Sequence, residues 1–124
     1  PGQLVRYMYE TSPGEALLEL LKIYREEETA SAEQSRELTK DVLWAEHLVA
    51  DTIWKQRHGF LDERQTEEDA VLQLQNLSKS KHWWARVYVA EIMRQHDAFR
   101  QPEIMERLKR DKHPFVREAM QWNR

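Results

Sequence analysis

Apolar positions recur three and four residues apart along most of this chain. Ala16, Leu17, Leu20, Leu21 and Tyr24 form the first such set, and the acidic run Glu26-Glu27-Glu28 ends it. That spacing places the side chains on one face of a helix. Ser12-Pro13-Gly14-Glu15 reads as its start, with Ser12 as cap, Pro13 in the first turn and Glu15 completing a capping box. Residues 1–11 lack a clear period and read as a lead-in, with a short helix around Leu4–Tyr9.

Leu38, Val42, Ala45, Val49, Thr52 and Ile53 give a second stripe. Trp44, Leu48 and Trp54 widen it, so the pattern predicts a long helix buried on more than one side. Ser31 with Gln34 is a weaker capping box ahead of it, and Gly59 after His58 is a natural stop. Thr66, followed by Glu67, Glu68 and Asp69, opens a third helix with acids at its positive end. Val71, Leu72, Leu74 and Leu77 supply its apolar positions. After a break at 78–82, a fourth helix runs from Trp83 to His96, with Ala85, Tyr88, Val89, Ile92 and Met93 as its stripe. Phe99 to Gln101 connect it to a fifth helix, Pro102 to about Arg110, and Pro114 opens a sixth that runs close to Trp122. No stretch alternates at period two, and 3 Gly with 4 Pro leave few turns, so the expected class is all-α.

The chain also echoes itself. At a shift of 31 residues Leu77 falls on Leu108, Lys81-His82 on Lys112-His113, and Arg86 on Arg117. Trp84 falls on Phe115, Ala85 on Val116, Leu74 on Met105, and Trp83 on the first-turn residue Pro114. These matches agree with the helix–turn–helix boundaries, which favours repetition. More distantly, Trp44 to Asp51 is similar to Trp84 to Glu91. The second copy, with Asp111 in the turn, then Pro114, Val116 and Arg117, resembles the HEAT-repeat signature. Ser80, Trp83 and Ala85 replace Asp, Pro and Val in the first copy, and the spacing is similar to that of short HEAT-like variants.

The resemblance implies stacked antiparallel helical hairpins forming a short right-handed α-solenoid of about three units. All of residues 1–124 would be one domain, with hairpins at 13–58, 66–97 and 102–124. It also implies an architectural role for Arg86 and Arg117, pairing with turn carboxylates or carbonyls between units; Arg86 would reach Asp111. Trp84 and Phe115 would fill equivalent inter-helix slots.

A length of 124 residues fits one domain with a modest core, and the net charge of −3 argues against a dedicated polyanion binder. The charge is uneven. Acids outnumber Lys22, Arg25 and Arg36 between Glu10 and Glu37, whereas Lys and Arg outnumber acids between Arg94 and Arg124. The absence of cysteine removes disulfides and thiol chemistry. No apolar run approaches the ~18 residues of a membrane span, so no membrane role is expected, and the expected location is cytoplasmic. The chain begins at Pro1, which leaves a larger parent chain open.

Catalytic chemistry finds little support. His47, Asp51, Trp54 and His58 share a helical face, read either as zinc ligands or, preferably, as a His47–Asp51 helix pair with surface residues. No phosphate loop or GxSxG stands out. No catalytic, metal or cofactor site is therefore expected. The expected function is a non-enzymatic protein–protein interaction or scaffold module, with Trp83, Arg86, Tyr88, Arg94 and Arg117 as its partner-binding residues. The alternative is a nucleic-acid-binding module using the basic C-terminal end. Self-association is a further expectation, because terminal units of an array expose apolar faces.

Overall fold

A computed structural model describes residues 15–27, 32–59 and 65–122. Among these residues the protein is all-α, with no strand. Helix α1 spans Glu15–Glu27, α2 Ala32–Arg57, α3 Gln65–Ser78, α4 Trp83–Gln95, α5 Pro102–Lys109 and α6 Pro114–Ala119. A 3-10 turn, Asp97–Phe99, separates α4 from α5. The expected short helix at Leu4–Tyr9 and the two capping residues Ser12 and Ser31 lie outside the described residues. Among the described residues no helix is long and apolar enough to cross a membrane.

Local chemistry accounts for the boundaries. Lys55 and Arg57 sit in the last turn of α2, where positive charge opposes the helix dipole. Gly59 then adopts a φ of 79°, a left-handed conformation that suits glycine and ends the helix. Pro102 and Pro114 each occupy a first turn, where a missing N–H costs nothing. Helix α6 is shorter than its sequence suggested and ends at Ala119 rather than near Trp122. The Met120 and Gln121 N–H groups bond to Arg117 and Glu118 carbonyls, and Trp122 folds back to donate its indole N–H to the Ala119 carbonyl at 2.7 Å.

The core is organised around α4. Each residue from Trp84 to Met93 is buried, and all five other helices pack against this one. Leu17 and Leu20 of α1, Val42, Ala45 and Val49 of α2, Leu74 and Leu77 of α3, Ile104 and Leu108 of α5 and Val116 of α6 join the same cluster. Burial of each large aliphatic side chain stabilises the fold by about 1.5–3 kcal/mol relative to exposure. Helix α1 packs chiefly on α4, and α2 chiefly on α3. The two helices of the expected 13–58 hairpin are thus each seated mainly against a different neighbour.

A helix buried on all sides should be apolar throughout, yet α4 carries Arg86, Tyr88 and Glu91. These three polar side chains are paired, Glu91 with Arg94 and the other two across the fold. Arg86 Nε donates to Asp111 Oδ2 at 2.7 Å and Nη2 to Oδ1 at 3.1 Å, while Nη1 donates to the Ser80 carbonyl at 2.8 Å. The side chains of this pair are only 8% and 9% exposed. Tyr88 Oη donates to Glu46 Oε2 at 2.6 Å, joining α4 to α2. Burial, reinforced by the Glu46 charge, raises the Tyr88 phenol well above its ordinary pKa. Arg107 donates to the buried Ser78 hydroxyl, linking α5 to α3.

The turns before α4 and α6 make the same hydrogen bonds at matched positions. Ser80 N–H bonds to the Leu77 carbonyl and Asp111 N–H to the Leu108 carbonyl, both at 3.1 Å. His82 N–H donates to Ser80 Oγ at 3.1 Å, and His113 N–H to Asp111 Oδ1 at 2.9 Å. Arg86 reaches the Ser80 carbonyl just as Arg117 Nη1 reaches the Asp111 carbonyl, at 2.6 Å. The side chain at the turn differs: a serine serves its own turn, whereas Asp111 serves its own turn and also reaches back to Arg86.

Asp111 should dominate acid sensitivity. Burial alone would raise its carboxyl, but hydrogen bonds from Arg86 and the His113 N–H hold it below the ordinary carboxylate value. A depressed folded value contributes stability above the unfolded pKa near ~3.9, lost as pH falls through the folded value. Urea unfolding from neutral pH down through that window should show Asp111→Asn losing less stability on acidification than the parent chain. Asp111→Ala leaves Arg86 buried without its carboxylate and should cost about 3–5 kcal/mol at neutral pH. An unchanged urea midpoint would show that the pair contributes nothing.

Candidate interaction surface

The five residues predicted to bind a partner fall in three different environments. Arg86 and Tyr88 are buried, and their polar groups are used by Asp111, Ser80 and Glu46. Their assignment to a surface is corrected. A partner-binding role requires exposed side chains, whereas neighbours cover Trp84 to Met93 of α4. Arg94 is half-exposed and lies at the opposite end of α4 from Trp83, about 16 Å along the axis. It donates from Nε and Nη2 to Glu91 Oε2 at 2.9 and 2.7 Å, and that hydrogen bond raises its pKa against the effect of burial. Arg94 and Trp83 therefore do not share a site.

Trp83 and Arg117 belong to one edge, formed by the turns before α4 and α6. The Trp83 ring lies parallel to His113, with centroids 4.2 Å apart and planes at 10°. Phe115 meets Trp83 edge-on at 5.4 Å, and Trp84 lies 5.1 Å from it on the inner side. His113 is fixed from below, because its Nδ1 accepts the Phe115 N–H at 3.1 Å and caps α6. Trp84 is buried, but Phe115 is 37% exposed, so the two do not fill equally closed slots. The edge thus presents a partly exposed aromatic platform of set orientation.

Basic residues flank that platform in sequence. Lys79 and Lys81 in the first turn, and Arg110 and Lys112 in the second, are exposed and occupy matched positions. Among the described residues no ion pair neutralises these four. Arg117 adds a further exposed guanidinium whose Nη1 is held by the Asp111 carbonyl.

A second aromatic face lies on α2. Trp44 and Trp54, which the sequence placed in the core, are 54% and 52% exposed. Trp44 stacks on His47 at 5.6 Å, and Trp54 on His58 at 4.2 Å. The missed signal is a separate stripe, Lys40, Trp44, His47, Asp51, Trp54 and His58, running beside the buried one. Among the described residues no group of three His, Cys, Asp or Glu could hold a metal. His47 and His58 are about 16 Å apart along the axis, too far for one ion. The His58 Nδ1 lies 2.8 Å from the Trp54 carbonyl, and Asp51 pairs with Lys55 at 3.1 Å.

A cleft of about 670 Å³ opens between α1, α2 and α4, lined in part by Glu15, Glu46, Arg57, His58, Gln95 and His96. Burial, assisted by Arg57, lowers the His96 pKa, while Glu15 acts in the opposite direction. Acidic and basic groups are mixed here, and the buried Glu46 already accepts from Tyr88. The described lining residues include no hydroxyl or thiol nucleophile. Its chemistry is less directed than that of the turn edge, where four exposed cations flank one aromatic platform in sequence.

Compared with protein-family models, with curated proteins and with solved structures, the chain matches none.

Proposed function

We propose that the chain is a non-enzymatic interaction module, built of helical repeats resembling HEAT units, whose turn edge docks an acidic segment of a protein partner. The observation that carries this reading is the Trp83–His113–Phe115 platform set among Lys79, Lys81, Arg110 and Lys112. An oriented aromatic group offers large contact area with little side-chain entropy left to lose. Surrounding cations raise the encounter rate with an acidic segment and fix its register, while the aromatic anchor supplies most of the affinity. The matched hydrogen bonds of the two turns support the repeat reading, because they explain how this pattern of cations recurs along one edge.

Nucleic acid is the second reading, and the same exposed cations favour it. Aromatic side chains stack on bases, and lysines follow a phosphate backbone. The overall charge of −3 and the closure of one Trp83 face by His113 favour the protein segment.

Fluorescence anisotropy separates the two readings, with a labelled peptide of alternating Glu and Leu compared against a labelled single-stranded oligonucleotide. The peptide should bind, and Trp83→Ala should weaken it by about tenfold or more, as expected of an anchor residue. The Lys81→Glu, Lys112→Glu double variant should weaken it similarly. Peptide binding indifferent to all three substitutions would exclude the turn edge. Tight oligonucleotide binding that collapses with added salt would move nucleic acid ahead.

A further inference from the structure

Helix α2 carries a face that the turn edge does not use. Lys40, Trp44, His47, Asp51, Trp54 and His58 alternate steps of four and three, the spacing of a helix-pairing seam. The buried stripe of the same helix, Val42, Ala45, Val49 and Thr52, is a different set of residues and is occupied by the core. The outer seam places two tryptophans, each more than half exposed, about 15 Å apart along one helix. Each is stacked on a histidine of its own helix, which presets its orientation before any partner arrives.

We propose that two copies of this chain pair through the outer face of α2 as an antiparallel dimer whose two-fold axis crosses the helix at the level of Val49, between the His47 and Asp51 layers. The seam is complementary to itself in that direction. With the axis at Val49, Trp44 lies opposite the partner's Trp54, and His47 opposite the partner's Asp51. Each layer occurs twice, as a two-fold interface requires. A parallel pair would instead set Trp44 on Trp44, His47 on His47 and Asp51 on Asp51, which repeats like charge on like. Asp51 has an oxygen available for the histidine: Oδ2 pairs with Lys55, and Oδ1 has no partner among the described residues. The Lys40 and His58 layers fall at the two ends of the seam, where both side chains remain exposed to water. Helix α2, with 26 residues, is long enough to hold all these layers.

Sedimentation equilibrium on the full chain tests the pairing. The parent chain should sediment as a dimer. His47→Glu places a carboxylate opposite Asp51 twice per dimer and should raise the dissociation constant at least about tenfold, with helix content unchanged by circular dichroism. Combining His47→Glu with Asp51→Lys restores opposite charges in both layers and should restore the dimer. A parent chain that stays monomeric at every concentration overturns the proposal and leaves the face to a helix of another protein. A dimer that survives His47→Glu unchanged, or that the double variant fails to restore, also overturns it.

Discussion

A guanidinium can lie inside a helical core only if something answers its charge on every side. In this protein Arg86 lies in the helix against which all the others pack, and Asp111, 25 residues further on, meets it with both carboxylate oxygens. The third hydrogen bond goes to the carbonyl of Ser80 in the turn that opens α4. One side chain thereby ties the start of its own helix to the turn that starts α6. That turn then aims His113, Phe115 and Arg117, because Asp111 also accepts the His113 N–H and its carbonyl accepts from Arg117. The position of the aromatic edge follows from the pairing of a buried charge.

The consequence for function is a division of labour among similar residues. Arg86 and Arg117 occupy matched positions, yet only Arg86 has a carboxylate of a following turn to bind among the described residues. Trp84 and Phe115 are likewise matched, and the difference in burial has the same origin: α4 is covered on all sides, whereas α6 is the last helix described. Residues that serve architecture inside the fold become surface groups at its end. Together with the basic residues of both turns, they form the face proposed here for docking a partner.

Much of the helical framework was legible in the sequence because its signals are local. Pro102, Pro114 and Gly59 act through backbone geometry at single positions, and apolar spacing marks the helix faces. The Arg86–Asp111 pair was legible only through what the resemblance to HEAT repeats implies, because the 31-residue shift itself matches Arg86 with Arg117 and Ser80 with Asp111. Surface assignments were harder. Tyr88 and Arg86 were expected at a surface, but Glu46 of α2 and Asp111 of a later turn meet them, and long-range contacts of that kind leave no local trace. Trp44 and Trp54 count as core residues on hydrophobicity alone, although their spacing belongs to a second, exposed stripe. Hydrophobicity alone does not separate a buried face from an exposed face with a partner of its own.

Arg86 and Asp111 act as one unit rather than as two separately useful residues. A double-mutant cycle measures this directly, with Arg86→Leu, Asp111→Leu and the combined variant compared by urea unfolding at neutral pH. The coupling energy should be at least about 2 kcal/mol, because each single variant strands a buried charge that the double variant removes. Additive effects, with coupling near zero, would contradict it and would detach the turn edge from the core that is held here to position it.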